Sequence, residues 1–331
     1  MTVNRLIDRY NRRLNYLRIS ITDRCNLNCI YCIPQGIRSK LPHEEILRYE
    51  EILRLVRICV GLGISKVRVT GGEPLVRKGV IDFLASLNSI NGIIDVSLTT
   101  NGTVLKDRLD QIRSAGIKRI NISLDTLNRK KYKEITGFDK FNAVWEGIMS
   151  ALDKGFHPIK LNVVALKGRN DDELEAFAEL SIKYPLHIRF IEHMPIGMSS
   201  AGEGPRLLTP EIKERIRGMG ELIPVKNSIT DGPAERYRLS GAEGELGFIS
   251  ALSQHFCRTC NRLRLTASGQ IRTCLLSDEQ VDLKTPLRSG ATDQQLAELI
   301  FHAAQRKPSR HKLSESDASS IVTTQMSSIG G

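Results

Sequence analysis

The chain has 331 residues, 40% hydrophobic and 26% charged, and a chain this long buries roughly 75% of its unfolded surface, so no staples are needed for stability. It has no run of ~18 apolar residues to span a membrane, and its start, MTVNRLIDRYNRR, lacks the apolar centre of a signal peptide. A cytoplasmic protein is therefore expected, in which seven cysteines point to metal or catalysis rather than disulfides, while the net charge of +11 suits an anionic partner.

In chain order, YLRISIT (16–22), SKVRVT (65–70), IIDVSLTT (93–100), IKRINISLD (117–125), PIKLNVVAL (158–166) and LHIRFIE (186–192) read as strands. Helical patterns lie between them near 49–62, 79–89, 106–115, 141–154 and 171–183, and many turns carry a glycine. Six such units predict an α/β fold with a parallel sheet and crossover helices. Parallel strands covered on both faces run continuously apolar, but these alternate. Leu17/Ile19, Val67/Val69, Ile120/Ile122 and Leu161/Val163 share one face; Arg18/Ser20, Arg68/Thr70, Ser97/Thr99, Asn121/Ser123, Lys160/Asn162 and His187/Arg189 share the other. Buried polar groups need partners, so the second face must line a cavity. An incomplete, open parallel β/α barrel with a basic lumen accounts for the pattern; a flat, doubly wound sheet does not.

After about residue 220 the pattern changes. ERYRLSG, GELGFIS and NRLRLTASGQIRTCL read as antiparallel strands with Gly-containing turns, placed to close the barrel opening, and a helix is expected near 291–305. The expected division is a barrel over 1–220 and a C-terminal region over 221–331, ending in a Ser-rich, mobile tail. Cys59 shares a helical face with Ile52, Val56 and Val60 and reads as core. RKKYK (129–133) reads as a solvated surface.

The remaining six cysteines form two sets of three. Cys25, Cys29 and Cys32 follow the first strand, at the end of the sheet where α/β sites gather. Structural zinc takes four ligands, and the nearest further candidate is His43; three thiolates suit a [4Fe–4S] cluster with one open iron. Cys257, Cys260 and Cys274 form the second set. Its spacing alone leaves a zinc site completed by His255 open. Strand alternation puts Arg262 and Arg264 on one face beside it, which suits a polyphosphate. In RVTGGEPLVR (68–77), paired glycines let backbone approach a ligand closely, and Glu73 can pair with an ammonium.

The first set, with Tyr31 before its last cysteine, resembles the signature of the radical S-adenosylmethionine (SAM) enzymes. GGEP, NISLDT (121–126) and FIEHMP (190–195) are similar to that family's SAM contacts. The resemblance implies that the open iron chelates SAM, that one electron breaks the sulfonium C–S bond, and that the resulting 5′-deoxyadenosyl radical takes a hydrogen from substrate. Both cysteine sets together with LRISITDRCN, NRLRLTASG and the final Gly-Gly resemble the branch of GTP 3′,8-cyclases that serves molybdenum cofactor biosynthesis, over Tyr16 to Gly331. That likeness implies a lyase with two [4Fe–4S] clusters and SAM as cofactors, GTP as substrate and an electron donor as partner. It implies abstraction of the ribose 3′ hydrogen and attack of C3′ on C8. It implies Tyr31, Gly72, Ser123 and Met194 as SAM contacts, and Arg18, Arg68, Thr99, Lys160, Arg262, Leu263 and Arg264 as GTP contacts; Arg189, on the same polar strand face, is a weaker candidate. Gly330 and Gly331 are implied to enter the active site. A monomer or homodimer without nucleic acid or membrane is expected. The rivals are a radical SAM enzyme acting on a peptide or tRNA, and a zinc-bearing nucleic-acid-binding protein, though aromatics at 5% leave the latter few stacking platforms.

Overall fold

The computed structural model describes residues 5–32, 40–197, 205–227, 232–311 and 322–330. Six strands, β1 (Tyr16–Ser20), β2 (Lys66–Thr70), β3 (Asp95–Thr100), β4 (Arg119–Ser123), β5 (Ile159–Ala165) and β6 (Leu186–Glu192), lie side by side, all parallel. Helices α1 (Tyr49–Gly61), α2 (Val80–Asn88), α3 (Leu109–Ser114), α4 (Arg129–Thr136), α5 (Phe141–Asp153), α6 (Leu174–Lys183) and α7 (Thr209–Arg217) precede the C-terminal region. The expected apolar strand face packs into one core with the helices: Leu17, Ile19, Val67, Val69, Ile120, Ile122, Leu161 and Phe190 are all buried in it. From α1, Ile52, Leu55, Val56 and Cys59 join that core, each large side chain stabilising it by ~1.5–3 kcal/mol.

RKKYK opens α4, which the sequence reading missed. Asn128 caps it by accepting from the Lys130 and Lys131 amides, and Gly137 ends it at φ 79°. Tyr132 is buried, while Lys131 and Arg129 pair at the surface with Asp172 and Asp139, so the solvated reading holds for the charges.

The C-terminal strands are β7 (Leu222–Val225), β8 (Glu235–Leu239), β9 (Glu245–Ile249), β10 (Arg262–Leu265), β11 (Gln270–Arg272) and β12 (Val281–Asp282). Rather than forming a sheet of their own, they extend both edges of the barrel sheet. Strand β9 runs parallel beside β6, and β10 runs parallel beside β1. Antiparallel β8 and β7 follow on one side, β11 and β12 on the other. The outer strands do not pair with each other, so the sheet stays open. The 250–261 connection joins the two edges, carries Cys257 and Cys260, and lines the lumen cavity with Ala251, His255 and Phe256. Helices α8 (Lys284–Arg288) and α9 (Asp293–Gln305) follow; Thr292 and Gln295 cap α9 reciprocally.

Residues 322–330 are docked, against the expectation of a mobile tail. Gly197 N–H donates to the Val322 carbonyl (2.7 Å), and Asp278 accepts from the amides and hydroxyls of Thr323 and Thr324. A short helix, α10 (Met326–Ile329), follows, and its Ile329 joins Val322 in a cluster with Ile196, Leu252 and Leu276. Gly331 lies outside the described residues. No helix among the described residues is long and apolar enough to cross a membrane.

Candidate active site

The polar strand face lines the lumen as alternation requires. Arg264, Arg18, Arg68 and Ser97 stand in register on β10, β1, β2 and β3. Arg18, Arg68, Arg189, Arg262 and Arg264 line one cavity together with Cys257, Cys260, Cys274, Met194 and Asn162. No Asp or Glu is among the described residues of its wall. Burial and the mutual repulsion of these cations, only partly offset by Tyr16, pull Arg18 down to about 9, and the same causes hold Arg264 well below its ordinary value. Such a lining costs stability until an anion enters.

Thr99 and Lys160 are buried on the same polar strand face but do not line this cavity. Leu263 can offer the lumen only its backbone. Its side chain is wholly buried in the apolar core, because the alternation that turns Arg262 and Arg264 inward turns Leu263 away.

The first cysteine set sits on the loop after β1. Leu27 N–H and the Asn101 side-chain amide donate to the Cys25 sulfur (3.4 and 3.7 Å), and Ser327 N–H donates to Cys32. Burial pushes the Cys32 thiol up to about 12 and Cys29 well above its ordinary value. At the second set, His311 N–H donates to Cys257 and Arg262 donates to Cys260. Burial alone would raise Cys260, but Arg262 and Lys307 outweigh it and bring the thiol down to about 6.

All-thiol sets with donors aimed at sulfur match the ligation and tuning of iron–sulfur clusters, so the residues fit the expected groups. Among the described residues, no three His, Cys, Asp or Glu converge closely enough to hold a single metal ion. His255 stands edge-on to His311, with ring centroids 5.2 Å apart.

The GGEP turn needs its glycines for a different reason than expected. A Cβ on Gly72 would lie 2.3 Å from the Arg24 carbonyl oxygen, and one on Gly71 would lie 2.7 Å from that of Thr22. The close approach is to the cysteine loop itself, which Gly72 N–H and Glu73 N–H hold by donating to Thr22 and Arg24 (2.7 and 2.8 Å). Glu73 is fully buried and accepts from Leu75 N–H, Thr100 hydroxyl and Asn101 N–H (2.9, 2.8 and 2.6 Å). It ties the turn to the end of β3. Tyr31 hydroxyl donates to Asp125 (2.6 Å), a carboxyl that burial raises to about 6, and Ser123 closes β4 nearby.

The tail reaches both regions. Ser327 touches Cys32, and the Gly330 carbonyl accepts from Arg264 (2.8 Å).

The model described as Radical SAM superfamily matches residues 19–181, and that described as Molybdenum Cofactor Synthesis C matches residues 186–313. A curated protein of Pelotomaculum thermopropionicum named GTP 3′,8-cyclase is 50% identical over 327 residues, 98% of this chain and 99% of that one. One of the same name from Thermodesulfovibrio yellowstonii is 51% identical over 303 residues, 91% of this chain and 94% of that one. The chain belongs to the GTP 3′,8-cyclase family of the radical SAM superfamily. Among solved structures, Streptococcus suis SuiB bound to S-adenosylmethionine has the same fold, with a TM-score of 0.65 at 15% identity over 90% of this chain and 69% of that one.

For this member of the family, sequence reasoning missed three side chains. Tyr16 lines the cavity with a buried hydroxyl that has no hydrogen-bond partner among the described residues. Burial would raise its phenol, but Arg68, Arg18, Lys66 and Arg262 bring it down to about 8. Its alternation with Arg18 and Ser20 was the signal available. Arg12 and Lys307 lie behind the second cysteine set, and no local pattern marks them.

Proposed function

We propose that the chain is a GTP 3′,8-cyclase that converts GTP to (8S)-3′,8-cyclo-7,8-dihydroguanosine 5′-triphosphate, the first step of molybdenum cofactor biosynthesis. The observation that carries the reading is the cavity wall: five arginines, no described carboxylate and three cysteines. A triphosphate brings about four negative charges, and several guanidiniums, each able to bind bidentately, are what offset its desolvation.

In this reading Cys25, Cys29 and Cys32 hold one [4Fe–4S] cluster, and Cys257, Cys260 and Cys274 hold a second beside the substrate. With SAM and one electron from an external donor, the first cluster supplies a 5′-deoxyadenosyl radical. The chain's own part is placement. Tyr31, Gly72, Ser123 and Met194 seat SAM, with Tyr31 fixed by Asp125. Arg18, Arg68, Arg262 and Arg264 grip the phosphates, with Arg189, Lys160 and Thr99 supporting them. Leu263 contributes backbone only. The tail, docked through Gly330, keeps water from the reacting ribose, and Gly331 is the further residue proposed to serve it.

The test is anaerobic reconstitution followed by turnover with GTP, SAM and a chemical reductant. About eight irons per chain and a cyclised nucleotide triphosphate formed alongside 5′-deoxyadenosine are expected. Four irons with one zinc, or 5′-deoxyadenosine without a GTP product, would count against the reading.

A further inference from the structure

Lys307, just past α9, is 3% exposed. Its ammonium donates to the carbonyls of Arg262 (3.0 Å) and Thr273. Arg262 opens β10 two residues after Cys260, and Thr273 directly precedes Cys274. Among the described residues no carboxylate pairs with Lys307. Arg12 braces the same place from the other end of the chain. Paired with Asp8 (2.6 Å), it donates to the carbonyls of Cys257 (2.7 Å), Pro308 (2.7 Å) and Ser309 (3.2 Å). A buried ammonium held only by carbonyls is costly unless an anion stands close by. Three thiolates around a cluster supply that anion, and the negative charge grows by one unit when the cluster is reduced.

We propose that Lys307 is a positioning residue of the second cluster: it ties the two ligand strands together and its charge favours the cluster's reduced state. Net charge and hydrogen bonding around an iron–sulfur cluster set its potential. The proposal rests on the reading that the second cysteine set holds such a cluster.

The test is a potentiometric titration of the reconstituted holoprotein followed by electron paramagnetic resonance, with iron counted on each sample. The first cluster is the internal reference. Lys307→Met should lower the reduction equilibrium of the second cluster tenfold or more, ~59 mV for one electron. The first cluster should not move, and Lys307→Arg should match wild type. An unmoved second potential in Lys307→Met overturns the proposal. Where Lys307→Met does not hold the second cluster, Lys307→Gln, which keeps a donor and drops the charge, is titrated by the same criterion. If Met and Gln both lose the cluster while Arg holds it, the charge is needed and the proposal stands. If all three lose it, Lys307 is a strut only and the proposal is wrong. Four irons in wild type would overturn the cluster reading itself, which the iron count reports separately.

Discussion

Replacing Gly330 by alanine adds one methyl group at a place with no room for it. Gly330 has φ +84°, where a side chain is strained by ~1–3 kcal/mol. The new Cβ would lie 2.7 Å from Thr70 Cγ2 and 3.0 Å from Ser20 Cβ. Both neighbours sit on central strands, and Thr70 is β-branched and stiff at χ1. Overpacking of that kind costs a further ~1–3 kcal/mol. The contact opposing this is the hydrogen bond from Arg264 to the Gly330 carbonyl, 2.8 Å, a charge-assisted bond contributing ~1.5–3 kcal/mol. The two penalties together weigh ~2–6 kcal/mol against docking, and even the lower end lowers the ratio of docked to undocked tail about thirtyfold. Cyclisation of GTP should fall in proportion to the docked fraction that remains. Iron content and reductive SAM cleavage should persist, since all six cysteines keep their places and the undocked tail costs the first set only the Ser327 contact to Cys32. The assay is product formation and 5′-deoxyadenosine formation measured on one reconstituted sample. Cyclisation at the wild-type rate by Gly330→Ala would refute the reasoning.

Arg264→Ala should weaken GTP binding about ten- to a hundredfold, from one lost charge-assisted contact at ~1.5–3 kcal/mol; an Arg264→Ala protein that melts early but binds GTP normally in equilibrium dialysis would make the residue structural. Asp278→Asn removes the carboxylate that accepts four bonds from Thr323 and Thr324, so it should expose 322–330 to proteolysis and suppress cyclisation while SAM cleavage persists; an unchanged cleavage pattern would count against it. Burial raises the Glu73 carboxyl from 4.5 to about 7, even with three donors pulling the other way. Because the folded state then holds the proton more tightly than the unfolded one, this stabilisation is complete below about pH 4.5 and is lost as pH rises through 7. Urea midpoints of wild type should therefore fall relative to Glu73→Gln between pH 5 and about 7.5, and parallel curves would show the carboxyl to be ordinary.

Much of the barrel was legible because its signals are local. Period-two alternation in strands such as RINIS and KVRVT fixed both the core face and the lumen face, and glycine-ended turns marked the units. The same alternation, applied to β10, puts the Leu263 side chain in the core and leaves only its backbone for the lumen. What stayed hidden depends on distant pairing. Strands β9 and β10 read correctly as strands, yet nothing in ELGFI or RLRL says that one extends the β6 edge and the other the β1 edge. The Ser-rich tail reads as mobile by composition, but Asp278, Arg272 and Arg264 fasten it from far away in sequence. The GGEP glycines were recognised as a close approach, and only the fold shows that what comes close is the cysteine loop. Lys307 is one basic residue among several near the C-terminus, and its burial behind Cys260 and Cys274 follows from where α9 ends.

The most direct measurement of the central claim is the fate of the ribose 3′ hydrogen. GTP carrying deuterium at C3′ is turned over by reconstituted protein with SAM and a chemical reductant, and the 5′-deoxyadenosine is weighed by mass spectrometry. One deuterium in 5′-deoxyadenosine, formed with a cyclised triphosphate, is the expected result. 5′-Deoxyadenosine free of deuterium, with the GTP recovered intact, would contradict it.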